Sequence, residues 1–353
     1  MPLRFAINGL GRVGRALLRI ACSRPELELE IVAVNDLVSA EVLARLLARD
    51  TVHGPFAGRV EGAPGRLVID GREIPVTAEP EPARIPWAAA GAEVVVEATG
   101  RFTRRAAAAG HLQAPVQAPV QTPGTTVRTV IVSANGEGLD ATLCLGINEG
   151  DFRPGEHRVV SNASCTTNCL ALVAKVLHDS FVVRRALMST VHSYTENQRL
   201  LDLPHPDPRR GRAAALNMIP TSTTAAEALG LVLPQLAGRV AGFAVRVPTP
   251  AVAMLDLVAE LARPASAGEV RQAFRAAARG PLKGLLGAVD EELVSSDFVG
   301  DPRSAVVDLP LIQSVTGFGG GALVRVVAWY DNEWGYANRL ADLLALLAER
   351  HRN

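Results

Sequence analysis

Apolar and polar positions alternate along this chain in two rhythms, and the change between them comes near the middle. Leu3–Asn8 is close to continuously apolar, the pattern of a strand buried on both faces. Apolar positions from Arg12 to about Ser23 then recur at helical spacing. A second strand is expected at Glu30–Val34, closing on Asn35-Asp36, and a helix over 39–49. Leu67–Asp70 and Glu73–Thr77 flank Asp70-Gly71, a hairpin signal. Glu93–Thr99 predicts a further buried strand that runs into Gly100-Arg101-Phe102, with a helix to about Leu112. Strands are expected again at Val127–Ser133 and Thr142–Ile147. Buried strands alternating with helices imply an α/β, doubly wound parallel sheet of Rossmann type.

The rhythm changes after Arg158-Val159-Val160. Apolar positions 169, 172, 173, 176 and 177 mark one helix face. Strand patterns then dominate at 184–192, 239–247, 252–261, 305–308 and 323–330, with a helix at about 267–279. That grammar predicts an α+β half with a mostly antiparallel sheet. A polar stretch over 193–224 is long enough to suggest a functional loop. An amphipathic helix at Asn332–Arg350 is expected to pack back on the first half. With 353 residues, two domains are expected: 1–164 with the terminal helix 332–353, and 165–331.

Composition narrows the function classes. Formal net charge is +0, so bulk charge implies no nucleic-acid partner. No apolar run of about 18 residues is present, so no membrane span and a cytoplasmic location are expected. Four cysteines (22, 144, 165, 169) form neither a disulfide framework nor a CxxC knuckle, and the histidines show no metal-type pairing. No metal is expected. Ala114–Gln121 is a doubled Ala-Pro-Val-Gln unit, whose prolines exclude a helix interior and predict an exposed loop.

Two stretches carry chemistry. Gly9-Leu10-Gly11-Arg12-Val13-Gly14 sits between a strand and a helix, and the following strand ends at Asp36. This is the dinucleotide fingerprint in its required context. Its glycines admit a pyrophosphate at the helix N-terminus, and Asp36 suits ribose hydroxyls while repelling a 2′-phosphate, which favours NAD over NADP. The second stretch is Ser161–Cys169. Ser161, Asn162 and Ser164 are helix-capping residues, so Cys165 falls near a helix N-terminus, where N–H groups and the macrodipole favour a thiolate. Cys169, one turn on, faces the apolar stripe as a small hydrophobe. His192 ends a strand and is a candidate base for Cys165. A thiolate beside a nicotinamide suggests addition to an aldehyde, hydride loss to NAD⁺ and a thioester.

Ser161–Cys169, Thr190–Thr195, Arg246-Val247-Pro248-Thr249-Pro250 and Trp329–Tyr336 resemble the corresponding motifs of phosphorylating glyceraldehyde-3-phosphate dehydrogenases, in order and spacing. The resemblance implies that Cys165 is the nucleophile and His192 its base. It implies cofactor contacts at Gly9, Gly11, Arg12, Val13, Gly14, Asp36, Thr99, Gly100, Phe102, Ser133 and Tyr336, with adenine near Leu37 and Phe102 and the carboxamide on Asn332. It implies a substrate-phosphate site at Thr195 and Arg246, and an inorganic-phosphate site at Ser164, Thr166, Arg210 and Thr223, next to Thr224. The substrates implied are a phosphorylated aldehyde and inorganic phosphate. A homotetramer is implied too, with a loop at about 194–217 covering a neighbour's cofactor. Asn197, Thr224, Glu227, Asn135 and Pro80 depart from the family pattern, and Thr224 is expected to crowd the inorganic-phosphate site. Two alternatives stay open: erythrose-4-phosphate dehydrogenase, which Ser193-Tyr194-Thr195 disfavours, and a catalytically weak NAD-binding paralogue.

Overall fold

The computed structural model describes residues 1–113, 127–316 and 322–352; the doubled Ala-Pro-Val-Gln unit lies outside them. The chain divides into two compact units. The first takes Met1–Leu143, Gly150–Ala163 and the residues from Ala337 onward; the second takes Cys144–Glu149 and Ser164–Tyr336.

In the first unit the principal strands are β1 (Leu3–Asn8), β2 (Leu29–Asn35), β3 (Val60–Ala63), β4 (Arg66–Ile69), β5 (Arg72–Thr77), β6 (Val94–Glu97), β7 (Thr129–Val132), β8 (Ala141–Thr142) and β9 (Val159–Ser161). They form one sheet in the order β8-β9-β7-β6-β1-β2-β5-β4-β3. From β8 to β5 every pairing is parallel, and the β5-β4-β3 edge is antiparallel. The two helices that flank β2 in sequence are α1 (Arg12–Ser23) and α2 (Ala40–Ala48). One face of the sheet buries Ala6, Ala33, Val95, Val130, Val132 and Val159 together with Trp87. Val130 and Val132, two apart on β7, share that face as the pleat requires. The expected doubly wound parallel sheet is therefore present, and the strand order reverses about β1, between β2 and β6.

Asp70-Gly71 makes the expected hairpin turn between β4 and β5, with φ of 49° and 82°. Two expectations fail. The strand predicted over Thr142–Ile147 stops at Thr142, and the chain turns instead. Gly146 has φ +80°, and a Cβ there would lie 2.7 Å from Leu285 and 3.0 Å from Leu282, so close packing dictates a glycine turn. The helix predicted as far as Leu112 is one turn, Arg105–Ala108, continued by a 3₁₀ segment at Ala109–Leu112.

In the second unit α3 (Cys165–Phe181) leads into β10 (Val183–Ser193) through Val182. β11 (Ile219–Thr221), α4 (Ala225–Val232), β12 (Val240–Val247), β13 (Ala253–Leu261), α5 (Ala267–Arg279), β14 (Leu286–Val289), β15 (Ala305–Asp308), β16 (Gln313–Thr316) and β17 (Ala322–Tyr330) follow. The sheet runs β11-β12-β10-β13-β17-β15-β14, with β16 also on β17. Among the described residues five of its seven pairings are antiparallel; β10-β12 and β14-β15 are parallel. The expected mostly antiparallel sheet is thus observed. α3 packs against β13, β15 and β17, burying Cys169, Leu170, Leu172, Val173 and Leu177 completely or nearly so. Short β11 and β14, and the eight-residue α4, carried too few residues for periodicity to mark them. The last helix, α6, spans Trp334–Arg352.

Candidate functional site

Cys165 is the first residue of α3. Ser164 precedes it in extended backbone as the N-cap, and its hydroxyl accepts the Thr167 N–H at 3.1 Å. Ala163, at φ +54°, turns the chain between β9 and that cap, and its N–H donates to Ser161 Oγ at 2.8 Å. A capped helix start fixes the direction of the Cys165 side chain. Opposite it, β10 delivers His192, whose Nε2 stands 3.6 Å from Cys165 Sγ. Register then brings in Arg246, because His192 pairs with Arg246 across the parallel β10-β12 ladder. Residues so paired project to the same face.

His192 is buried, and its other nitrogen is contested. Nδ1 lies 2.7 Å from the Ser193 carbonyl oxygen and 2.5 Å from Arg246 Nη1, which itself donates to that carbonyl at 3.1 Å. A proton on Nδ1 suits the carbonyl and opposes the guanidinium, so one tautomer cannot satisfy both. Burial and the Arg246 charge hold the imidazole pKa down at about 3, against the Ser193 carbonyl and Glu333, which raise it. The thiol departs from expectation. Burial pushes the Cys165 pKa above its ordinary value; Arg246, Thr166 and the helix N–H groups pull the other way and do not overcome it. Burial thus opposes the charged form of each partner, although the Cys165 sulfur is only partly enclosed. Placement at a helix N-terminus lowered the penalty for a thiolate but did not remove it. Cys169 is fully buried, and desolvation drives its pKa well upward, so it is the inert small hydrophobe expected.

Tyr330 was not singled out from the sequence, although it lies inside the terminal tryptophan motif. Its buried hydroxyl bonds Thr166 Oγ1 at 2.9 Å and Thr190 Oγ1 at 2.8 Å, and its ring meets His192 edge-on, centroids 6.1 Å apart. One phenol thus ties the first turn of the cysteine helix to the strand that carries the histidine. Asn332 Oδ1 accepts from Ser193 Oγ at 2.9 Å, which orients its amide.

The phosphate candidates fall into two groups. Thr195 bonds Gln198 Oε1 through both its N–H (2.7 Å) and its hydroxyl (3.1 Å). Arg246 is mostly buried, and its Nε has no hydrogen-bond partner among the described residues. Arg210 Nε donates to Thr221 Oγ1 at 2.7 Å and sits 3.4 Å from Asp207. Thr223 Oγ1 accepts the Ala225 N–H at 3.3 Å. Thr224 is the N-cap of α4 with φ −93°, a conformation open to any residue, so its side chain imposes no backbone strain. Glu227, in the first turn of that helix, complements the helix dipole.

In the first unit the fingerprint glycines have separate duties. A Cβ on Gly9 would sit 2.8 Å from Thr99 Cγ2, and one on Gly14 would sit 2.2 Å from the Gly9 carbonyl oxygen. Gly9 also holds φ +93°. A Cβ on Gly11 would meet nothing within 4 Å. Gly9 and Gly14 are thus needed for close packing of strand, turn and helix, while Gly11 leaves open space at the start of α1, which carries no side-chain cap. That open, uncapped helix start fits a pyrophosphate. Asp36 follows β2, where its Oδ2 accepts the Leu10 N–H at 2.7 Å and its Oδ1 the Val38 N–H at 3.0 Å. Arg12 is ion-paired with Asp50, whose pKa falls to about 2 because backbone N–H groups and Arg12 outweigh its burial. Val13 is on the first turn of α1, Gly100 is left-handed at φ +69°, and the Ser133 N–H donates to Glu97 O at 2.9 Å. Phe102 packs edge-on to His111, and Leu37 is exposed. Tyr336 and Asn332 are buried and belong to the second unit.

Comparison with known proteins matches both halves. The sequence model described as "Glyceraldehyde 3-phosphate dehydrogenase, NAD binding domain" matches residues 3–105, and "Glyceraldehyde 3-phosphate dehydrogenase, C-terminal domain" matches 164–332. Glyceraldehyde-3-phosphate dehydrogenase 2 of Streptomyces arenae is 48% identical over 347 residues, 98% of this chain and 99% of the relative. Glyceraldehyde-3-phosphate dehydrogenase 1 of Bacillus subtilis (strain 168) is 48% identical over 350 residues, 99% of each. The enzyme of Kitasatospora aureofaciens is 49% identical over 347 residues, 98% of this chain and 99% of the relative.

Proposed function

The chain belongs to the glyceraldehyde-3-phosphate dehydrogenase family, and from that premise we propose that it oxidises and phosphorylates glyceraldehyde 3-phosphate to 1,3-bisphosphoglycerate with NAD as cofactor. The observation that carries this reading is the Cys165 sulfur at a capped helix start, 3.6 Å from the His192 Nε2.

His192 takes the Cys165 proton as the sulfur attacks the aldehyde carbon. For that, Nε2 must offer a lone pair and Nδ1 must carry the proton, donated to the Ser193 carbonyl. Arg246 opposes this tautomer while it leans on Nδ1. Substrate phosphate held by Arg246 and Thr195 draws the guanidinium off, so binding and base activation are coupled. The Cys165 N–H and the protonated imidazole then steady the oxyanion of the thiohemiacetal. Bound NAD⁺ supplies the hydride acceptor that leaves Cys165 as a thioester. Ser164, Thr166, Arg210 and Thr223, beside Thr224, orient inorganic phosphate, whose oxygen attacks the thioester carbonyl and releases the thiolate as acyl phosphate forms. That thiolate recovers a proton.

Gly9, Gly11, Arg12, Val13, Gly14, Asp36, Leu37, Thr99, Gly100, Phe102 and Ser133 hold the dinucleotide in this reading, with Asn332 and Tyr336 serving its nicotinamide end. The phosphates are met by arginines and hydroxyls, the donors such groups favour. Assembly as a homotetramer and a cytoplasmic location complete the proposal. They are supported by the family; among the described residues no helix is long and apolar enough to cross a membrane. Growth of nicotinamide absorbance with glyceraldehyde 3-phosphate or erythrose 4-phosphate, with and without phosphate, tests the assignment. Cys165→Ser is expected to abolish turnover while binding NAD within about two-fold of the parent. Faster turnover of the tetrose, or turnover surviving in the serine variant, would overturn it.

A further inference from the structure

Beneath the dinucleotide turns lies a set of buried polar side chains that the proposed chemistry does not use. Asn8, Asn35 and Glu97 are the last residues of β1, β2 and β6, three neighbouring parallel strands. Each is at most 3% exposed, and His111 is fully buried beside them. The three turns that leave these strands carry Gly9, Asp36 and Thr99-Gly100.

The side chains form one directed chain of hydrogen bonds. Asn8 Nδ2 donates to Glu97 Oε2 at 2.6 Å, and His111 Nε2 meets the same oxygen at 2.9 Å. The Thr99 N–H donates to Glu97 Oε1 at 2.8 Å, and the Thr99 hydroxyl to the same atom. Asn35 Nδ2 donates to Asn8 Oδ1 at 2.8 Å. Asn35 Oδ1 accepts the Thr77 hydroxyl at 2.7 Å and the Glu79 N–H at 2.9 Å. Trp87 Nε1 donates to His111 Nδ1 at 3.0 Å.

The direction of every bond follows from the ends. The Thr99 N–H, the Glu79 N–H and the Trp87 indole N–H are donors and nothing else. The indole forces His111 Nδ1 to accept, so Nε2 carries the proton and donates to Glu97. The Glu79 N–H forces the Asn35 amide, which forces the Asn8 amide, so that Asn8 also donates to Glu97. Glu97 therefore faces donors on both oxygens, a demand that a carboxylate meets and an amide of the same size does not.

We propose that Glu97 is a positioning residue for the cofactor: through Asn8, Asn35 and Thr99 its carboxylate fixes the relative placement of the three turns that grip the adenosine and pyrophosphate end of NAD. This deepens the cofactor reading and rests on it. Any amide at position 97 must turn its NH₂ toward the Thr99 N–H or toward Asn8 and His111. Flipping Asn8 and then Asn35 only moves the conflict to the Glu79 N–H, which cannot reverse.

The test is Glu97→Gln in the full chain, with Asn35→Ala, which leaves the carboxylate intact and removes the side-chain link from Asn35 to Asn8. Both variants are expected to bind NAD and ADP-ribose at least ten-fold more weakly, by equal factors for the two ligands. kcat at saturating NAD should stay within two-fold, as should the rate of Cys165 alkylation by iodoacetamide without cofactor. A merely structural role would lower active fraction and alkylation together and leave the affinity of the remaining folded protein unchanged. If Glu97→Gln does not fold, the same readings on Asn35→Ala decide. Folded variants that bind both ligands within two-fold of the parent would overturn the positioning role. Failure of the unaltered protein to bind NAD would instead overturn the cofactor assignment.

Discussion

Replacing His192 with Asn should change how this protein responds to acid, by an amount set by the burial of the ring. Unfolded, the imidazole protonates near pH 6.5. Folded, it resists protonation down to about pH 3, because it is buried and faces the Arg246 guanidinium. Its other close neighbours, Cys165 and Tyr330, are neutral at these pH values, and the opposing Glu333 does not overcome the burial and Arg246. Between those two values the unfolded chain binds a proton that the folded chain refuses, so stability falls as pH falls. The loss is absent above about pH 6.5 and grows by about 1.4 kcal/mol for each unit below it. At pH 4.5, two units down, His192 alone costs about 2.7 kcal/mol, a large part of the ~5–15 kcal/mol that holds a typical protein folded. Urea unfolding of parent and His192→Asn at pH 7.5, 5.5 and 4.5 isolates this contribution, since other titrating groups cancel in the difference. The parent is expected to lose about 2.7 kcal/mol more than the variant by pH 4.5. Parallel losses in the two proteins, or a ring that titrates in the folded protein near pH 6.5 by NMR, would refute the reasoning.

Other outcomes follow from single contacts. Gly14→Ala places a Cβ 2.2 Å from the Gly9 carbonyl oxygen; a loss of about 3 kcal/mol in urea unfolding and weaker NAD binding are expected, and a neutral result would show that α1 is not seated tightly on its strand. Asp36→Ser removes the charge that disfavours a 2′-phosphate, so the ratio of NAD to NADP affinity should fall at least about ten-fold by titration. Thr224→Gly clears the side chain beside the proposed inorganic-phosphate site, and its phosphate KM is expected to fall; an unchanged or higher KM would end the crowding argument.

Much of the molecule was readable before any coordinates. Near-continuous apolar runs marked β1, β2, β6 and β7, because strands covered on both faces tolerate few polar residues. The glycine fingerprint was legible because chemistry demands small residues at fixed spacing; Cys165 was legible because cap residues announce a helix start. What periodicity missed was short or locally ambiguous: β11, β14, α4 and the turn at Gly146, where close packing against Leu282 and Leu285 outweighs an apolar run.

Tertiary structure decided the rest. Sequence order separates Cys165, His192, Arg246 and Tyr330 by up to 165 residues, and no local pattern states that β10 lies beside β12 with His192 opposite Arg246. That register depends on the whole sheet. The same holds for protonation: a cysteine at a helix start suggested a thiolate, yet the balance between dipole and desolvation is set by how deeply neighbouring strands enclose the sulfur. Local sequence determines which conformations and reactive groups are on offer, since both act over a few residues. Burial, register and the direction of a hydrogen bond are properties of groups far apart in the chain, and only the folded arrangement assigns them.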